Sequence, residues 1–459
     1  MAPETLTEYE RRRMENIRRN GEVMASLKLR RIASDLSSSS AQQSMATTKK
    51  RPCPSPTPRS PVVLRRSLRT RGLPPNRSPS PSSDPPSPPP NPASAARERI
   101  GPFPTADTLV RGSGSADRGL IDAILGASKA SESDHVKGRG SGFDPRRSMA
   151  LREEKVRKVL RERILAVRFL PFGDRTVIAA GNKLGHLGFW DVDYSGGDGD
   201  GDGVFVYFPH RAPISGISVH LDSPTKIFTS CYDGFICLMD ADSETFNMIY
   251  SCGYSIYSLC QAPHDNTSLY FGERGELKLF DLRVGKVSGS WDLHEQRINT
   301  IDFHPENVNL FATSSTDGTA CIWDLRRSKE NKLECLKTVQ HNRAVHSAHF
   351  SPSGSCLATT RYAISCICFK KTLIDVMVSM QKTILISICR AIWGWDDSYL
   401  YLGNMRRAVD VISVADRTTT TLESEHVTSI PCRFAAHPYN VGSLACATAG
   451  GKVFLWTKS

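Results

Sequence analysis

The sequence predicts an all-β protein: a seven-bladed β-propeller preceded by a basic N-terminal extension that is disordered apart from a short helix. From residue 151 onward, short alternating apolar runs are separated by Gly, Asp and Pro, as in consecutive antiparallel strands. A large apolar residue recurs there every 41 to 49 residues, close to the length of one four-stranded blade. We expect residues 1–36 to form a basic amphipathic helix, 37–150 a disordered linker rich in Pro, Ser and Arg, and 151–459 the propeller.

Charge divides the chain near the same boundary. Residues 1–160 hold 30 Lys and Arg against 16 Asp and Glu, a net charge of +14, whereas residues 161–459 hold 29 against 31, a net charge of −2. A basic arm beside a nearly neutral body is typical of proteins that contact phosphate backbones or carry a nuclear-import signal. Residues 49–51 and 65–71 are candidate import clusters, so we expect the protein in the nucleus.

The N-terminal extension is too polar to build a core. Within residues 7–36, Thr7 and Glu10 fit the capping box of a helix, which is either solvated or becomes ordered on a partner or on DNA. Fifteen of the 28 prolines fall between Pro52 and Pro92, among serines and arginines. Residues 100–150 show little periodicity and are also expected to be linker.

The clearest repeat unit lies at residues 294–326. A His before a strand, a second strand ending in Ser-x-Asp-Gly at 315–318, and a third ending in Trp-Asp at Trp323 form the WD-repeat signature. The residues equivalent to Trp323 are Trp190, Met239, Phe280, Phe369, Ile412 and Trp456. Residues 155–160 precede the first unit, and we expect them to supply the outer strand of the last blade and so close the ring.

The fifth unit departs from this pattern. After Thr360 the chain continues as a long, mostly apolar stretch over residues 361–389, without the Asp-Gly turn or the Trp-Asp pair, and the regular pattern returns at Arg390. Two interpretations stay open: the blade has diverged, or the segment comes from an unusual splice or gene model. In the second case the segment would pack poorly and weaken the fifth blade.

One polar group in the repeats has the composition of a catalytic triad. His294, Ser315 and Asp317 are instead expected to join Trp323 in a hydrogen-bonded network that ties adjacent strands of a blade. A network that is satisfied internally leaves no exposed nucleophile. We therefore predict a binding platform and not an enzyme.

Metal and cofactor sites are not expected. Asp198, Asp200 and Asp202 match the opening of a calcium loop, but Pro209 stands where the bidentate Glu is required, so we expect a hairpin tip. Twelve of the 13 cysteines lie after residue 230 in apolar runs without metal-ligand spacing, which favours reduced, buried thiols in an intracellular protein. The N-terminus has no secretory signal, and the most apolar stretch is too polar to span a membrane.

Basic residues are concentrated in the loops that one face of a propeller presents. The loops that enter each blade and the turns between its second and third strands share that face, where Tyr232, Tyr254 and Arg361 also lie. Arginine beside aromatic residues suits phosphate contacts combined with stacking on an exposed or flipped base. The predicted DNA-binding residues are Lys183, Arg211, Arg274, Arg297, Arg343, Arg390, Trp393, Trp395, Arg406, Arg407 and Arg433.

A second candidate surface is indicated by an Arg two residues after the Asp of a Trp-Asp-like pair. It occurs twice in succession, within residues 280–283 and 323–326. In WD-repeat proteins that serve as substrate receptors of cullin-RING ubiquitin ligases, this Arg helps contact the adaptor subunit, and a guanidinium at a blade edge suits bidentate bonds. The predicted docking residues are Asp281, Arg283, Trp323, Asp324 and Arg326.

Three motifs make the chain resemble the WD repeat-containing protein 76 family, which is close to the small subunit of the damaged-DNA-binding complex. They are Arg-Ala-Ile-Trp-Gly-Trp-Asp at 390–396, Gly-Asn-Met-Arg-Arg at 403–407, and Pro-Cys-Arg-Phe at 431–434 followed by Ala-His-Pro-Tyr-Asn at 436–440. The resemblance also covers the helix from Tyr9 to Leu27 and nearly all of the propeller. It implies a nuclear, chromatin-associated protein that binds DNA, favours damaged DNA and bridges to a ubiquitin ligase.

Two functions from different classes remain open. The first is a monomeric propeller that binds duplex DNA, in particular damaged DNA, and acts as the substrate receptor of a cullin-RING ligase. The alternative is a scaffold that recognises histone tails, with any DNA affinity in the basic arm. Removal of residues 1–150 would distinguish them, because only the first function keeps DNA binding in the propeller.

Overall fold

The computed structural model describes residues 101–112, 118–130, 142–194, 201–329, 332–360, 364–368, 377–380 and 390–459, together with six positions between 11 and 22. Contacts divide the chain into two units, Met1–Pro89 and Pro90–Ser459, each described here by itself. In the first unit the six described positions are helical and exposed, and Arg18 Nε lies 3.9 Å from Glu22 Oε1. The rest of the predicted helix, including Thr7 and Glu10, and residues 37–99 lie outside the described residues.

The second unit begins with short elements that precede the blades. Their bounds are β1 Phe103–Pro104, a 3-10 turn Ala106–Thr108, β2 Leu109–Arg111, α1 Gly119–Ala130, α2 Pro145–Ser148, β3 Met149–Ala150, a 3-10 turn Glu153–Lys155 and β4 Val156–Lys158.

Antiparallel sheets of four consecutive strands follow, and we number the blades by their repeat unit. Units 1 and 2 are β5 Ile164–Phe169, β6 Val177–Asn182, β7 Leu187–Asp191, β8 Val204–Tyr207, and β9 Ile214–Val219, β10 Lys226–Cys231, β11 Phe235–Asp240, β12 Thr245–Ser251. Units 3 and 4 are β13 Ile256–Cys260, β14 Ser268–Glu273, β15 Glu276–Asp281, β16 Lys286–Asp292, and β17 Ile298–Phe303, β18 Leu310–Ser315, β19 Thr319–Lys329, β20 Lys332–Gln340.

Units 5 to 7 continue the series. Unit 5 is β21 Ser347–Phe350, β22 Cys356–Thr360, β23 Ile364–Cys368 and β24 Met377–Met380. Units 6 and 7 are β25 Ile392–Trp393, β26 Tyr399–Asn404, β27 Ala408–Ser413, β28 Thr419–Leu422, and β29 Pro431–Ala436, β30 Leu444–Thr448, β31 Lys452–Lys458. The expected all-β propeller is confirmed, and six units are complete blades within the described residues.

The fifth unit is described in part. Strand β22 pairs with β21 and with β23, and β24 pairs with β23, so the four strands form a sheet in the position of the predicted unit. Apart from β23 and β24, the segment 361–389 lies outside the described residues, as do Phe369 and Arg361.

The spacing of the large apolar residues predicts the core register correctly. In each complete blade the third strand buries its predicted residue against the neighbouring blade, because alternate side chains of a strand point to the same face. These residues are Trp190, Met239, Phe280, Trp323, Ile412 and Trp456, each at most 5% exposed.

The ring closes by pairing the first and last elements of the propeller. Strand β4 pairs with β31 in the register Phe454↔Val156, which confirms the closure expected from residues 155–160. Strand β3 extends the same edge in the register Met149↔Lys458. The outer strand of the last blade therefore comes from the N-terminal side, as the sequence predicts.

The expectation that residues 37–150 are a disordered linker is wrong over their described parts from residue 101 onward. Strand β1 adds to the outer edge of blade 2 in the register Phe103↔Phe246, and β2 adds to blade 1 in the register Leu109↔Tyr207. Helix α1 buries Ile124 completely in the core shared by these blades. Sequence reasoning missed this helix because its apolar stripe spans only three turns. Each aliphatic side chain that it buries nevertheless contributes about 1.5–3 kcal/mol to the free energy of unfolding.

None of the described helices is long and apolar enough to span a membrane. The nine described cysteines are free thiols, and burial raises the pKa of several of them, including Cys231 to about 11.

Candidate nucleic-acid interface

The predicted basic loops meet at one end of the blades. Backbone hydrogen bonds join the turns between second and third strands to the segments that enter the blades: Thr316 N donates to Arg297 O at 3.2 Å within blade 4, and Ile298 N at the start of blade 4 donates to Arg274 O in the turn of blade 3 at 2.8 Å. We call this end of the propeller the upper face. The turns approach the loops so closely that a Cβ on Gly185, where φ is 93°, would lie 2.0 Å from the carbonyl oxygen of His210.

All nine predicted basic residues lie in these turns and loops or at the start of an inner strand. Those with exposed side chains are Lys183, Arg211, Arg274, Arg297, Arg343, Arg406 and Arg407. Arg390 and Arg433 are half-buried. The Nζ atom of Lys183 lies 3.0 Å from Glu162 Oε2, and this ion pair reduces the contribution of Lys183 to the potential of the face.

Two turns of the upper face present arginine from a left-handed backbone conformation. Arg274 has φ of 54° and Arg407 has φ of 61°, a region that side chains other than glycine occupy at a cost of about 1–2 kcal/mol. The Cζ atom of Arg274 stacks 3.7 Å from the ring centroid of Tyr254. The turn therefore places a guanidinium over the exposed ring of Tyr254.

Two arginines at this end of the propeller donate hydrogen bonds to backbone carbonyls of other blades. Arg390, which precedes the inner strand of blade 6, donates from Nη2 to the carbonyl oxygen of Asn299 in blade 4 at 3.0 Å. Arg433, in the inner strand of blade 7, donates from Nε to Leu165 O in blade 1 at 2.8 Å. We call the upper end of the inner strands the channel mouth and define it by Arg297, Arg390, Arg433, His346, Tyr232 and Tyr257.

Like charges act on each other at the channel mouth. Burial, followed by the positive charge of Arg433, lowers the pKa of Arg390 to about 9, and Arg297 acts in the same direction. Burial also lowers the pKa of His346, with further contributions from Arg390, Arg433 and Arg297. His346 is therefore neutral at pH 7, while the arginines carry the charge of the mouth.

Aromatic rings line one side of the mouth. The Cζ atom of Arg297 lies 5.0 Å from the ring centroid of Tyr257, and the rings of Tyr257 and Tyr232 are 5.2 Å apart. Both tyrosines are half-buried. Tyr232 was among the aromatic residues expected on this face, whereas Tyr257, which begins an inner strand, was missed.

The predicted role of Trp393 and Trp395 in stacking on DNA is wrong. Trp393 is 5% exposed and donates from Nε1 to His349 O of blade 5, and Trp395 is 8% exposed and donates to His437 O of blade 7. Both indoles fill the space between blades next to the two-residue strand β25. Their N–H groups are satisfied by backbone carbonyls, so neither ring is available to a ligand.

We call the end of the blades opposite the upper face the lower edge, and it carries the two Asp-x-Arg pairs. Arg326 donates from Nε and Nη2 to both oxygens of Asp324, at 3.0 and 2.8 Å, and keeps 63% of its side chain exposed. Arg283 is 73% exposed, and its Nη2 lies 3.4 Å from Asp281 Oδ2. Hydrogen bonds from Arg283 and Arg326 lower the pKa of Asp281 and Asp324, so both carboxylates stay ionised and brace the guanidiniums.

The part of the docking prediction that concerns Trp323 is wrong. Its indole is 5% exposed and packs inside blade 4, because the repeat uses this position for the core. Contact with an adaptor at this edge is therefore limited to the two arginines and their neighbours.

Comparison with known proteins places these features in context. The model of the WD domain, G-beta repeat, matches residues 285–324. WD repeat-containing protein 76 of Xenopus laevis is 29% identical over 94% of this chain and 77% of its own length. DNA damage-binding protein cmr1 of Aspergillus oryzae is 25% identical over 99% of this chain and its full length, and WD repeat-containing protein 76 of Mus musculus is 26% identical over 98% and 74%.

The chain is similar to these proteins over most of its length, and residues 285–324 match a WD repeat. The resemblance expected from the motifs in units 6 and 7 is thereby confirmed. The repeat model ends at Asp324, so it covers the histidine, threonine and tryptophan of the polar group in unit 4.

That polar group forms a connected network in this WD repeat. His294 Nδ1 lies 2.9 Å from Asp317 Oδ2, and its Nε2 lies 2.6 Å from the hydroxyl of Thr313. Trp323 donates from Nε1 to the same hydroxyl at 2.8 Å. Sequence reasoning missed Thr313, which is the link between the imidazole and the indole.

Ser315 is placed differently from the expectation. Its hydroxyl donates to Gln296 O and accepts from Asp317 N, so it supports the turn and does not contact the imidazole of His294. Burial lowers the pKa of His294 despite the nearby carboxylate of Asp317. The imidazole is neutral and spans two fixed partners, which suits a structural role.

The acidic hairpin of blade 1 is described only from residue 201 onward. There Asp202 pairs with Arg111 of β2, its Oδ2 lying 2.5 Å from Nη2. Asp198 and Asp200 lie outside the described residues. Within the described part of the chain, no group of three or more His, Cys, Asp or Glu is arranged to hold a metal ion.

Proposed function

We propose that this protein is a nuclear DNA-binding platform whose upper face holds duplex DNA, in particular damaged DNA. The observation that carries the proposal is the convergence of Arg297, Arg390 and Arg433 at the channel mouth, braced by carbonyls and aromatic rings. The printed names of the cmr1 relatives, DNA damage-binding protein, support the same ligand. In this proposal the sheet β21–β24 acts as the fifth blade of a closed, monomeric seven-bladed ring without catalytic activity.

The arrangement of charge suits a phosphate backbone. Exposed arginines surround the mouth from several blades, including Arg274, Arg406 and Arg407, so that they can reach successive phosphates. Lys and Arg contacts with phosphates release counterions, and the affinity for DNA then falls steeply with salt. The propeller, and not the basic arm alone, would supply these contacts.

The test replaces three arginines of the upper face, Arg274, Arg406 and Arg407, by glutamine. Each phosphate contact contributes about −0.9 to the slope of log K against log salt for duplex DNA, so the slope should become less steep by up to about 3. Fluorescence anisotropy with one duplex over a salt series measures this. The matched control replaces the lower-edge residues Arg283, Arg326 and Arg327, and an equal loss in both variants would reject the upper face as the DNA site.

The alternative function, a histone-tail scaffold, predicts a different result for the basic arm. Because residues 101–112 and 118–130 pack on blades 1 and 2, the informative truncation removes residues 1–89 and leaves the second unit intact. DNA binding that survives this truncation supports the proposal. DNA binding that disappears while histone peptides still bind would favour the scaffold.

We also propose that the lower edge docks the adaptor subunit of a cullin-RING ligase. The specific observation is that Arg283 and Arg326 stand on adjacent blades, are mostly exposed and are each braced by a carboxylate. Replacement of both by alanine should lower affinity for the purified adaptor by at least about tenfold, since charged hydrogen bonds contribute about 1.5–3 kcal/mol each. The upper-face variant should bind the adaptor normally, and unchanged adaptor binding by the double variant would remove this half of the proposal.

A further inference from the structure

The channel mouth concentrates positive charge in a half-buried place. Arg390 lies close enough to Arg433 and Arg297 for their charges to disfavour its own protonation. Such an arrangement costs free energy in the absence of a ligand, because buried charges of one sign repel each other in a medium of low dielectric constant. An anion held between the guanidiniums would remove this cost.

The guanidiniums are held in place before any ligand arrives. The side chain of Arg390 is held by the carbonyl oxygen of Asn299, and that of Arg297 lies against the ring of Tyr257. The side chain of Arg433 is held by two carbonyl oxygens, that of Leu165 and, at 2.8 Å, that of the preceding residue Cys432. Asn299 is itself fixed, since its Nδ2 donates to Val345 O at 2.7 Å. Donors that are ordered in advance lose little conformational entropy on binding.

The mouth is too narrow for a continuous duplex. A single side chain, Arg390, reaches from blade 6 to the inner strand of blade 4. The major groove of B-form DNA alone is about 12 Å wide, so the body of a duplex rests on the upper face and does not enter. A phosphate at the end of a DNA strand can enter the mouth without the body of the duplex.

The number and kind of donors match a terminal phosphate. A phosphomonoester carries a charge of about −1.5 to −2 at pH 7 and three acceptor oxygens, whereas each phosphodiester within a strand carries a single negative charge. Guanidiniums form short, bidentate bonds with such oxygens. On the basis of the proposed DNA-binding function, we propose that the channel mouth binds the 5′-terminal phosphate of a DNA strand end between Arg297, Arg390 and Arg433.

In this assignment the rim and the channel mouth of the upper face bind different parts of the DNA. The exposed arginines of the rim, such as Arg406 and Arg407, hold internal phosphates of any duplex. The mouth recognises the strand end, and so distinguishes broken DNA from continuous DNA. The rim therefore sets overall affinity, and the mouth sets the preference for a phosphorylated end.

The experiment compares two duplexes of identical sequence with the full chain. One carries 5′-phosphates and the other 5′-hydroxyls. The phosphorylated duplex should bind about tenfold more tightly, which is the gain expected from one additional charge-assisted hydrogen bond. Inorganic phosphate at millimolar concentration, added at constant ionic strength, should abolish this difference.

Variants separate the mouth from the rim. Arg390→Gln should lose the preference for the phosphorylated end, so that it binds both duplexes with equal affinity. The control Arg406→Gln with Arg407→Gln should weaken both duplexes by the same factor and keep the preference. If Arg390→Gln lowers the melting temperature so far that it does not fold, Arg297→Gln is the second variant, because its side chain is exposed.

The outcomes distinguish this inference from the function on which it rests. Binding of neither duplex by the wild type would overturn the DNA-binding proposal itself. Equal binding of both duplexes, or a preference that survives in Arg390→Gln and Arg297→Gln, would overturn only the strand-end site. A phosphoserine peptide that displaces the phosphorylated duplex from the mouth at lower concentration than a 5′-phosphorylated dinucleotide would reassign the site to phosphorylated protein.

Discussion

Arg390 Nη2 and the carbonyl oxygen of Asn299 are 3.0 Å apart, so a side chain of the sixth blade is held by the inner strand of the fourth. This bond orients one guanidinium of the channel mouth toward two others, those of Arg297 and Arg433, which lower its pKa together with burial. The consequences for stability and binding can be tested separately.

The first prediction concerns pH and the stability of the apo protein. Because the pKa of Arg390 is lowered to about 9 in the fold, the unfolded chain binds more protons than the native one above that pH. The stability of the wild type relative to Arg390→Gln should therefore rise as pH increases through about 9. Thermal unfolding at pH values from about 8 to about 10.5 measures the difference.

A phosphate control identifies the cause of this pH dependence. The charged groups that affect the pKa of Arg390 are Arg433, Arg297 and Tyr232, and the wild type and Arg390→Gln both contain them. Saturating phosphate should flatten the dependence if it sits among these groups, since an anion favours the protonated guanidinium. A pH dependence that is the same in wild type and variant would contradict the assignment to Arg390.

The second prediction concerns the network of unit 4. Thr313→Val removes the hydroxyl shared by His294 Nε2 and Trp323 Nε1, and each buried group left without a partner costs about 1–3 kcal/mol. The matched control is Thr229→Val in blade 2, where the hydroxyl binds His210 at 2.7 Å and no indole is present. Urea unfolding should show a larger loss for Thr313→Val, and equal losses would mean that the indole bond contributes nothing.

The third prediction concerns helix α1. Ile124→Ala should destabilise the second unit by about 2–5 kcal/mol, because the side chain is fully buried between blades 1 and 2. Lys129→Ala, on the exposed face of the same helix, should change stability by less than about 0.5 kcal/mol. An Ile124→Ala protein with unchanged urea midpoint would show that the helix does not pack on the blades in solution.

The fourth prediction concerns the buried indoles of unit 6. Trp393→Phe removes the donor to His349 O and should lower stability by about 1–3 kcal/mol while DNA affinity stays unchanged. Arg274→Gln, on the exposed upper face, should show the reverse pattern. A selective loss of DNA affinity in Trp393→Phe, measured by anisotropy at constant salt, would restore the original expectation for this residue.

The regular part of the fold could be predicted from sequence because it repeats. The spacing of Trp190, Trp323 and Trp456 identifies the third strands, and the alternation around them gives the buried face. The closure by β4 could also be predicted, since a ring of four-stranded blades leaves one edge that needs a partner. These features depend on local patterns that occur several times in the chain.

The features that occur once were harder to predict. Trp393 and Trp395 resemble loop aromatics in the sequence, and their burial follows from the shortness of β25, which no pattern reveals. The bond of Arg390 to Asn299 joins residues that are 91 positions apart in the sequence, and no local pattern reveals such a contact. Thr313 lacked a sequence signal because threonine is also an ordinary residue of strands.

Strands β3 and β4 complete the blade that contains β31, although about 300 residues of chain lie between them, a separation that carries a substantial entropic cost of loop closure. During translation, blades 1 to 6 emerge from the ribosome before this partner strand exists. The nascent propeller therefore remains an open arc with an unpaired edge until Lys452–Lys458 has been synthesised. The last blade therefore gains its outer strand through a contact between segments at opposite ends of the propeller, which can form only after the residues of the other units have been synthesised.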